Sequence, residues 1–119
     1  MRQIEIIGRT LAKLLFNKSS TEYVIIDYQN FKETDIIHGK LRELIDEGNL
    51  NEAENLLFEH IEEELGDKPE KREYLEVAID FYARLNDLSN DILESCGFER
   101  EEIEEGMKEV AEMYGVRVI

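Results

Sequence analysis

The side chains in this sequence whose types and spacing could do chemistry are His60 with Glu63 and Glu64, His38, and the single cysteine, Cys96. On a helix, His60, Glu63 and Glu64 stand on adjoining turns, so an imidazole and two carboxylates could hold a divalent metal if another helix supplied further ligands. A histidine at the border of a solvated glutamate face gives the same pattern, and that reading is favoured. Neither H-E-x-x-H nor the paired E-x-x-H units of a di-iron bundle occur in the chain. His38 approaches His60 only if the register between their helices allows it, and the sequence does not set that register. Cys96 precedes Gly97 at an expected helix end, where the helix dipole disfavours a thiolate, so a small, partly buried residue is favoured over a nucleophile. Paired carboxylates are unavoidable among 29 acidic residues and single out no acid–base couple. Without a G-x-x-x-x-G-K-[ST] loop, a G-x-G-x-x-G fingerprint or a G-x-S-x-G turn, the common routes to phosphate binding and serine hydrolysis are closed. No catalytic, cofactor or metal residue is assigned, and the chain is expected not to be an enzyme.

Charge narrows the partners. The formal net charge is −15, yet the first 20 residues, with Arg2, Arg9, Lys13 and Lys18 against Glu5, carry +3 and the other 99 carry −18. Such a field repels phosphate backbones and attracts basic partners, so direct nucleic-acid binding is not expected. A lone cysteine forbids an internal disulfide, and no early apolar run resembles a signal-peptide core or a spanning segment, which points to the cytoplasm.

The elements that would position these groups are helical. One domain over residues 1–119 is expected from the length, with 42% hydrophobic residues to offset chain entropy. In the first helix Ile4, Ile7, Leu11, Leu14 and Leu15 share an arc with Gly8 and Ala12, while Arg2, Arg9 and Lys13 lie opposite. Docking of this basic amphipathic helix on the acidic body is favoured over membrane contact. Residues 20–30 are ambiguous: Tyr23, Val24, Ile25, Ile26 and Tyr28 suit a strand that could pair only with the C-terminal "GVRVI", and a short helix or an extended packing segment is favoured. A second helix, capped by Asn30 or Thr34, carries Ile36, Ile37, Leu41, Leu44 and Ile45 and stops at Gly48. The next begins near Asn51 and buries Ala53, Leu57, Phe58 and Ile61 with Glu52, Glu59, Glu62 and Glu63 outward. Pro69 suits the first turn of a central helix with a wide apolar arc, Tyr74 to Leu85, in which Tyr74 and Tyr82 are packed with hydroxyls reaching the surface. A short helix capped by Ser89 and closed at Gly97 precedes the last one, whose stripe is Ile103, Met107, Val110 and Tyr114, with Met107 and Met113 as filler.

The fold expected is therefore all-α, five or six antiparallel helices in a bundle. Within it Gly48, Asn49, Ala53 and Leu57 resemble the second half of a tetratricopeptide repeat, in which glycine makes the turn and alanine permits close helix approach. No second copy follows at the repeat spacing of about 34 residues, and there is no tryptophan. With its "MRQIEIIGRTLAKLLF" start and "NEAENLLFE" hairpin, the whole chain also resembles a family of small, uncharacterised, acidic helical proteins of Firmicutes, a likeness that implies a fold and no functional residues. The leading expectation is a small interaction module with a protein partner, open to self-association. The alternatives are an acidic decoy of a nucleic-acid-binding surface and a metal-binding helical protein.

Overall fold

The computed structural model describes residues 8–10, 13 and 20–116. Among them are five α-helices, α1 (Glu33–Asp46), α2 (Leu50–Asp67), α3 (Glu73–Asn86), α4 (Asn90–Ser95) and α5 (Arg100–Met113), and no strand. The chain is all-α. Residues 8–10 and 13 are also helical, with Gly8 buried and Arg9 and Lys13 exposed; the apolar arc expected at Ile4, Ile7, Leu11, Leu14 and Leu15 lies outside the described residues. A Cβ on Gly8 would come 3.1 Å from Thr21 Cγ2 and 3.8 Å from Ile79 Cγ2, so this first helix meets α3 through its small residue. Among the described residues no helix is long and apolar enough to cross a membrane.

The α1–α2 hairpin follows from one glycine. Gly48 sits at φ +79°, its N–H donates to Ile45 O (3.0 Å) and the N–H of Asn49 to Leu44 O (2.8 Å), the paired bonds of a Schellman cap that only a left-handed residue can close. The chain reverses within Glu47–Asn49, and Ala53, Leu57 and Ile61 pack with no exposed surface while Phe58 is half-buried. Gly97, at φ +69°, closes α4 in the same way, with Phe98 N–H on Leu93 O (3.0 Å). At the other end of α4 the expected Ser89 cap accepts from Ile92 N–H at 3.2 Å.

Helix α3 is the centre: Tyr74, Leu75, Val77, Ala78, Ile79, Phe81, Tyr82 and Leu85 are all buried, and it packs against α1, α2 and α5. Its ends are held by side chains from elsewhere in the chain. Glu64 of α2 accepts from the N–H groups of Glu73 (3.0 Å) and Tyr74 (3.1 Å), the first donors of α3, because Arg72 at the cap position is left-handed and makes no side-chain cap. Pro69 lies in the turn before α3 rather than in its first turn. At the C-terminal end the Arg100 guanidinium donates to Asn86 O (3.1 Å), Leu88 O (2.5 Å) and Asn90 Oδ1 (2.6 Å), fastening α3, α4 and α5 together.

Helix α5 meets α3 at Gly106. A Cβ there would lie 2.4 Å from Tyr82 Oη and 2.6 Å from Cε1 and Cζ of its ring. That ring has no exposed surface, stands edge-on to Phe81 at 5.0 Å, and is tethered through its hydroxyl to Glu54 Oε2 (2.6 Å), so it cannot swing aside. Gly106→Ala is accordingly expected to lower stability by about 1–3 kcal/mol through overpacking, despite alanine's better helix propensity. Gly39→Ala in α1, where a Cβ meets nothing within 4 Å, should instead raise it by about 0.5–1 kcal/mol. Urea midpoints of the two variants moving the same way would contradict the assignment.

Candidate interaction surface

Large apolar side chains are conspicuous on the outside only where they cluster, since scattered ones are ordinary. The exposed ones among the described residues are Val24, Ile26, Tyr28, Phe31, Ile36 and Ile92, and all but the last fall between residues 24 and 36. Tyr28 and Phe31 meet edge to face at 6.3 Å. From residue 21 to 26 burial alternates: Thr21, Tyr23 and Ile25 point inward to different depths, and Glu22, Val24 and Ile26 face solvent. A period of two is that of an extended chain, so the expected extended packing segment is what forms here. The segment ends where Asp27 turns the chain, its carboxylate accepting from Gln29 N–H (2.9 Å) and Asn30 Nδ2 (3.2 Å), contacts that hold its pKa below the usual carboxylate value.

Tyr23 anchors the segment. Its N–H donates to Asp80 Oδ2 (2.8 Å), its ring lies tilted over the His38 imidazole at 4.7 Å, and its hydroxyl donates to Asp35 Oδ1 (2.5 Å) with Thr34 Oγ1 2.9 Å away. Asp80, 2% exposed, also binds His38 Nε2 (2.9 Å) and Arg84 Nε (2.6 Å). Burial alone would raise the Asp80 pKa, but the hydrogen bonds from His38, Arg84 and the Tyr23 N–H outweigh it and leave the pKa below the ordinary value. For Tyr23, burial and then the Asp35 carboxylate push the pKa well up. Asp35 completes the arrangement by accepting from Lys32 N–H (2.8 Å), which fixes the start of α1 with Lys32 as cap; neither Asn30 nor Thr34 takes that role.

This buried polar group rotates α1 relative to the sequence expectation. Thr34, Asp35, Ile37, His38 and Leu41 face inward, Leu44 and Ile45 are half-buried, and Ile36 is 59% exposed. Periodicity of apolar residues placed Ile36 in the core. The polar residues displaced it because each finds a partner inside.

His60, Glu63 and Glu64 do not come together as a ligand set. His60 stacks on Tyr74 at 5.3 Å, and its Nδ1 lies 3.6 Å from Glu33 Oε1, beyond hydrogen-bond distance. Glu64 is occupied by the α3 N-terminus and by the Tyr114 hydroxyl (2.5 Å), and Glu63 is exposed. These residues line an open cleft of about 340 Å³ together with Lys32, Lys68 and Lys71. His38 faces Asp80, not His60. No group of three or more His, Cys, Asp or Glu among the described residues is placed to hold a metal ion. Cys96 is half-buried at the C-cap of α4, with its Sγ 3.3 Å from where a Cβ on Gly48 would lie.

Sequence reasoning missed Asp80 and the Tyr23 anchor, and only the apolar run "YVII" in the sequence drew notice to the segment. Residues 1–115 match the model of a family of unknown function (DUF6483). No curated protein and no solved structure matches the chain.

Proposed function

Because the chain belongs to a family of unknown function (DUF6483), whose description carries no activity, we propose from its geometry that it is a protein–protein interaction module working through the surface of Val24, Ile26, Tyr28 and Phe31. One observation carries this reading: the segment is pinned from beneath by Tyr23 while presenting apolar side chains to water. Several apolar side chains gathered on one exposed segment, Val24, Ile26, Tyr28 and Phe31, make a patch that a partner could cover, each contributing about 1.5–3 kcal/mol if fully buried there. The likeness of the α1–α2 hairpin to a tetratricopeptide hairpin agrees, because such hairpins serve as rigid scaffolds for binding. The working compartment is the cytoplasm, which a single unpaired cysteine suits.

Ile26 is 84% exposed, so Ile26→Asp should leave the melting midpoint within about 1 °C while abolishing recovery of partner from native extract. Equal recovery by the variant overturns the reading. The outward acidic face of α2, Glu52, Glu59, Glu62 and Glu63, favours the decoy of a basic nucleic-acid-binding surface as the second reading. It would show as recovery that salt weakens and that neutralising Glu62 and Glu63 removes, with no dependence on Ile26.

A further inference from the structure

The exposed apolar side chains run together from the segment onto the start of α1. Asp35 accepts from the Lys32 N–H at 2.8 Å, which makes Lys32 the cap, Phe31 the residue before it and Ile36 the fourth of the helix. Those two positions stand side by side over a helix start, as in a hydrophobic staple. On its other side Phe31 meets Tyr28 edge to face at 6.3 Å, and Val24 and Ile26 face solvent on the stretch that leads into that turn. The Tyr23 anchor holds the segment from beneath, so little ordering entropy is lost when the patch is covered.

Size points to the kind of cover. With Val24 and Phe31 56%, Ile36 59%, Tyr28 74% and Ile26 84% exposed, the five leave roughly 600 Å² of surface open. The largest apolar patch of a typical monomer is about 300–600 Å², and two patches of this size face to face bury about 1,200 Å², the small end of a specific interface.

Charge bears on which chain supplies the second patch. Copies that each carry −15 repel wherever their acidic surfaces meet, and 36% of the chain is charged. Between residues 24 and 31 Asp27 alone is charged, and its carboxylate is engaged by the Gln29 N–H and Asn30 Nδ2. Repulsion between copies is therefore least where the apolar side chains are most exposed. A basic partner would be drawn instead to the outward carboxylates of α2, Glu52, Glu59, Glu62 and Glu63.

Resting on the interaction reading above, we propose that the partner is a second copy of this chain, the two joined through Val24, Ile26, Tyr28, Phe31 and Ile36 in a two-fold symmetric dimer.

The test is the molar mass of the purified full chain in solution. Sedimentation from about 1 to about 500 µM should show the mass doubling, since an interface at the small end holds only at micromolar concentration. Raising salt from about 0.05 to about 0.5 M should tighten the dimer at least threefold by screening two chains of −15 from each other, whereas docking on a basic partner is weakened. Tyr28→Asp and Ile26→Asp should each weaken it at least tenfold, and Ile92→Asp, at the exposed apolar residue elsewhere, less than twofold. In the unmodified chain the NMR signals of the five patch residues should shift with concentration, which keeps the test decisive if a variant does not fold. A chain that stays monomeric throughout, a dimer that salt loosens, or one that both aspartate variants leave intact overturns the proposal. If Ile26→Asp removes from native extract a partner of another sequence while the purified chain stays monomeric, self-association is wrong and the interaction surface stands; if recovery is unchanged as well, both are wrong.

Discussion

Replacing Asp80 by alanine is expected to lower stability by about 3–5 kcal/mol, the cost of leaving buried partners of a charge uncompensated. The figure rests on what the carboxylate holds: at a site 2% exposed it satisfies His38 and the Tyr23 backbone N–H, both of which would be left inside without their acceptor, while Arg84, 32% exposed, loses its partner but can turn to water. Asp80→Asn keeps the shape and one acceptor, so a smaller loss is expected. Urea unfolding of the two variants measures the difference, and a loss under about 1 kcal/mol for Asp80→Ala would mean the cluster is solvated and not a buried hub. The pH dependence has a definite sign. Because the folded-state pKa of Asp80 is lowered, its contribution is fully present above the ordinary carboxylate value of about 4 and is lost as pH falls through the folded value. Asp80→Asn should therefore flatten the acid limb of the stability curve. The surface of Val24 and Ile26 depends on the same carboxylate, since Tyr23 hangs from it, so the variant should also free the segment and raise amide exchange at residues 21–26.

The same cluster shows why some of the fold was legible in the sequence and some was not. Gly48, Ser89 and Gly97 could be assigned because each acts on neighbours within a few residues, through left-handed backbone or a side chain reaching Ile92 N–H. The stripe of α5 and the wide arc of α3 were legible because every inward residue there except Asp80 is apolar. Where the interior takes polar residues the pattern misleads. Thr34, Asp35 and His38 look like a solvated face, yet Tyr23 and Asp80 satisfy them inside, and Ile36 is turned outward in exchange. The His38–Asp80 bond joins residues 42 apart and Tyr23–Asp80 residues 57 apart, separations at which one sequence holds no register information. Tyr74 and Tyr82 were rightly placed in the core; the Tyr74 hydroxyl reaches the surface on the exposed Glu33, and that of Tyr82 ends on the half-buried Glu54. Reading His60 with Glu63 and Glu64 from spacing alone could not show that Glu64 is taken up in capping α3.

Those tyrosines show how a chain with 29 acidic and 14 basic residues partners carboxylates at the edge of its core, from buried Asp35 to exposed Glu33, and they set the second large expectation. Tyr23 donates to Asp35, Tyr74 to Glu33, Tyr82 to Glu54 and Tyr114 to Glu64, neutral donors standing where basic side chains are too few. Burial first, and the facing carboxylate with it, raises the pKa of all four. A tyrosinate cannot donate, and it would face a negative charge at hydrogen-bond distance. With folded pKa values above the unfolded value of about 10, the four hydroxyls contribute fully below that pH, and stability falls as pH rises beyond it. Each tyrosine that ionises only on unfolding steepens the fall by about 1.4 kcal/mol per pH unit, so the four together reach about 5.5 kcal/mol per unit. Loss of charge from lysines operates in the same range, and the variants separate the two: Tyr114→Phe and Tyr82→Phe should each reduce the alkaline slope by about one proton, while Lys108, paired with Glu104 on the face of α5, should change it little when replaced by glutamine. Urea midpoints followed against tyrosinate absorbance give both quantities in one series. Unchanged slopes in the phenylalanine variants, or tyrosinate forming before the chain unfolds in a Tyr28→Phe background that removes the exposed tyrosine, would show that these hydroxyls face water and that the carboxylate–tyrosine pairs do not hold.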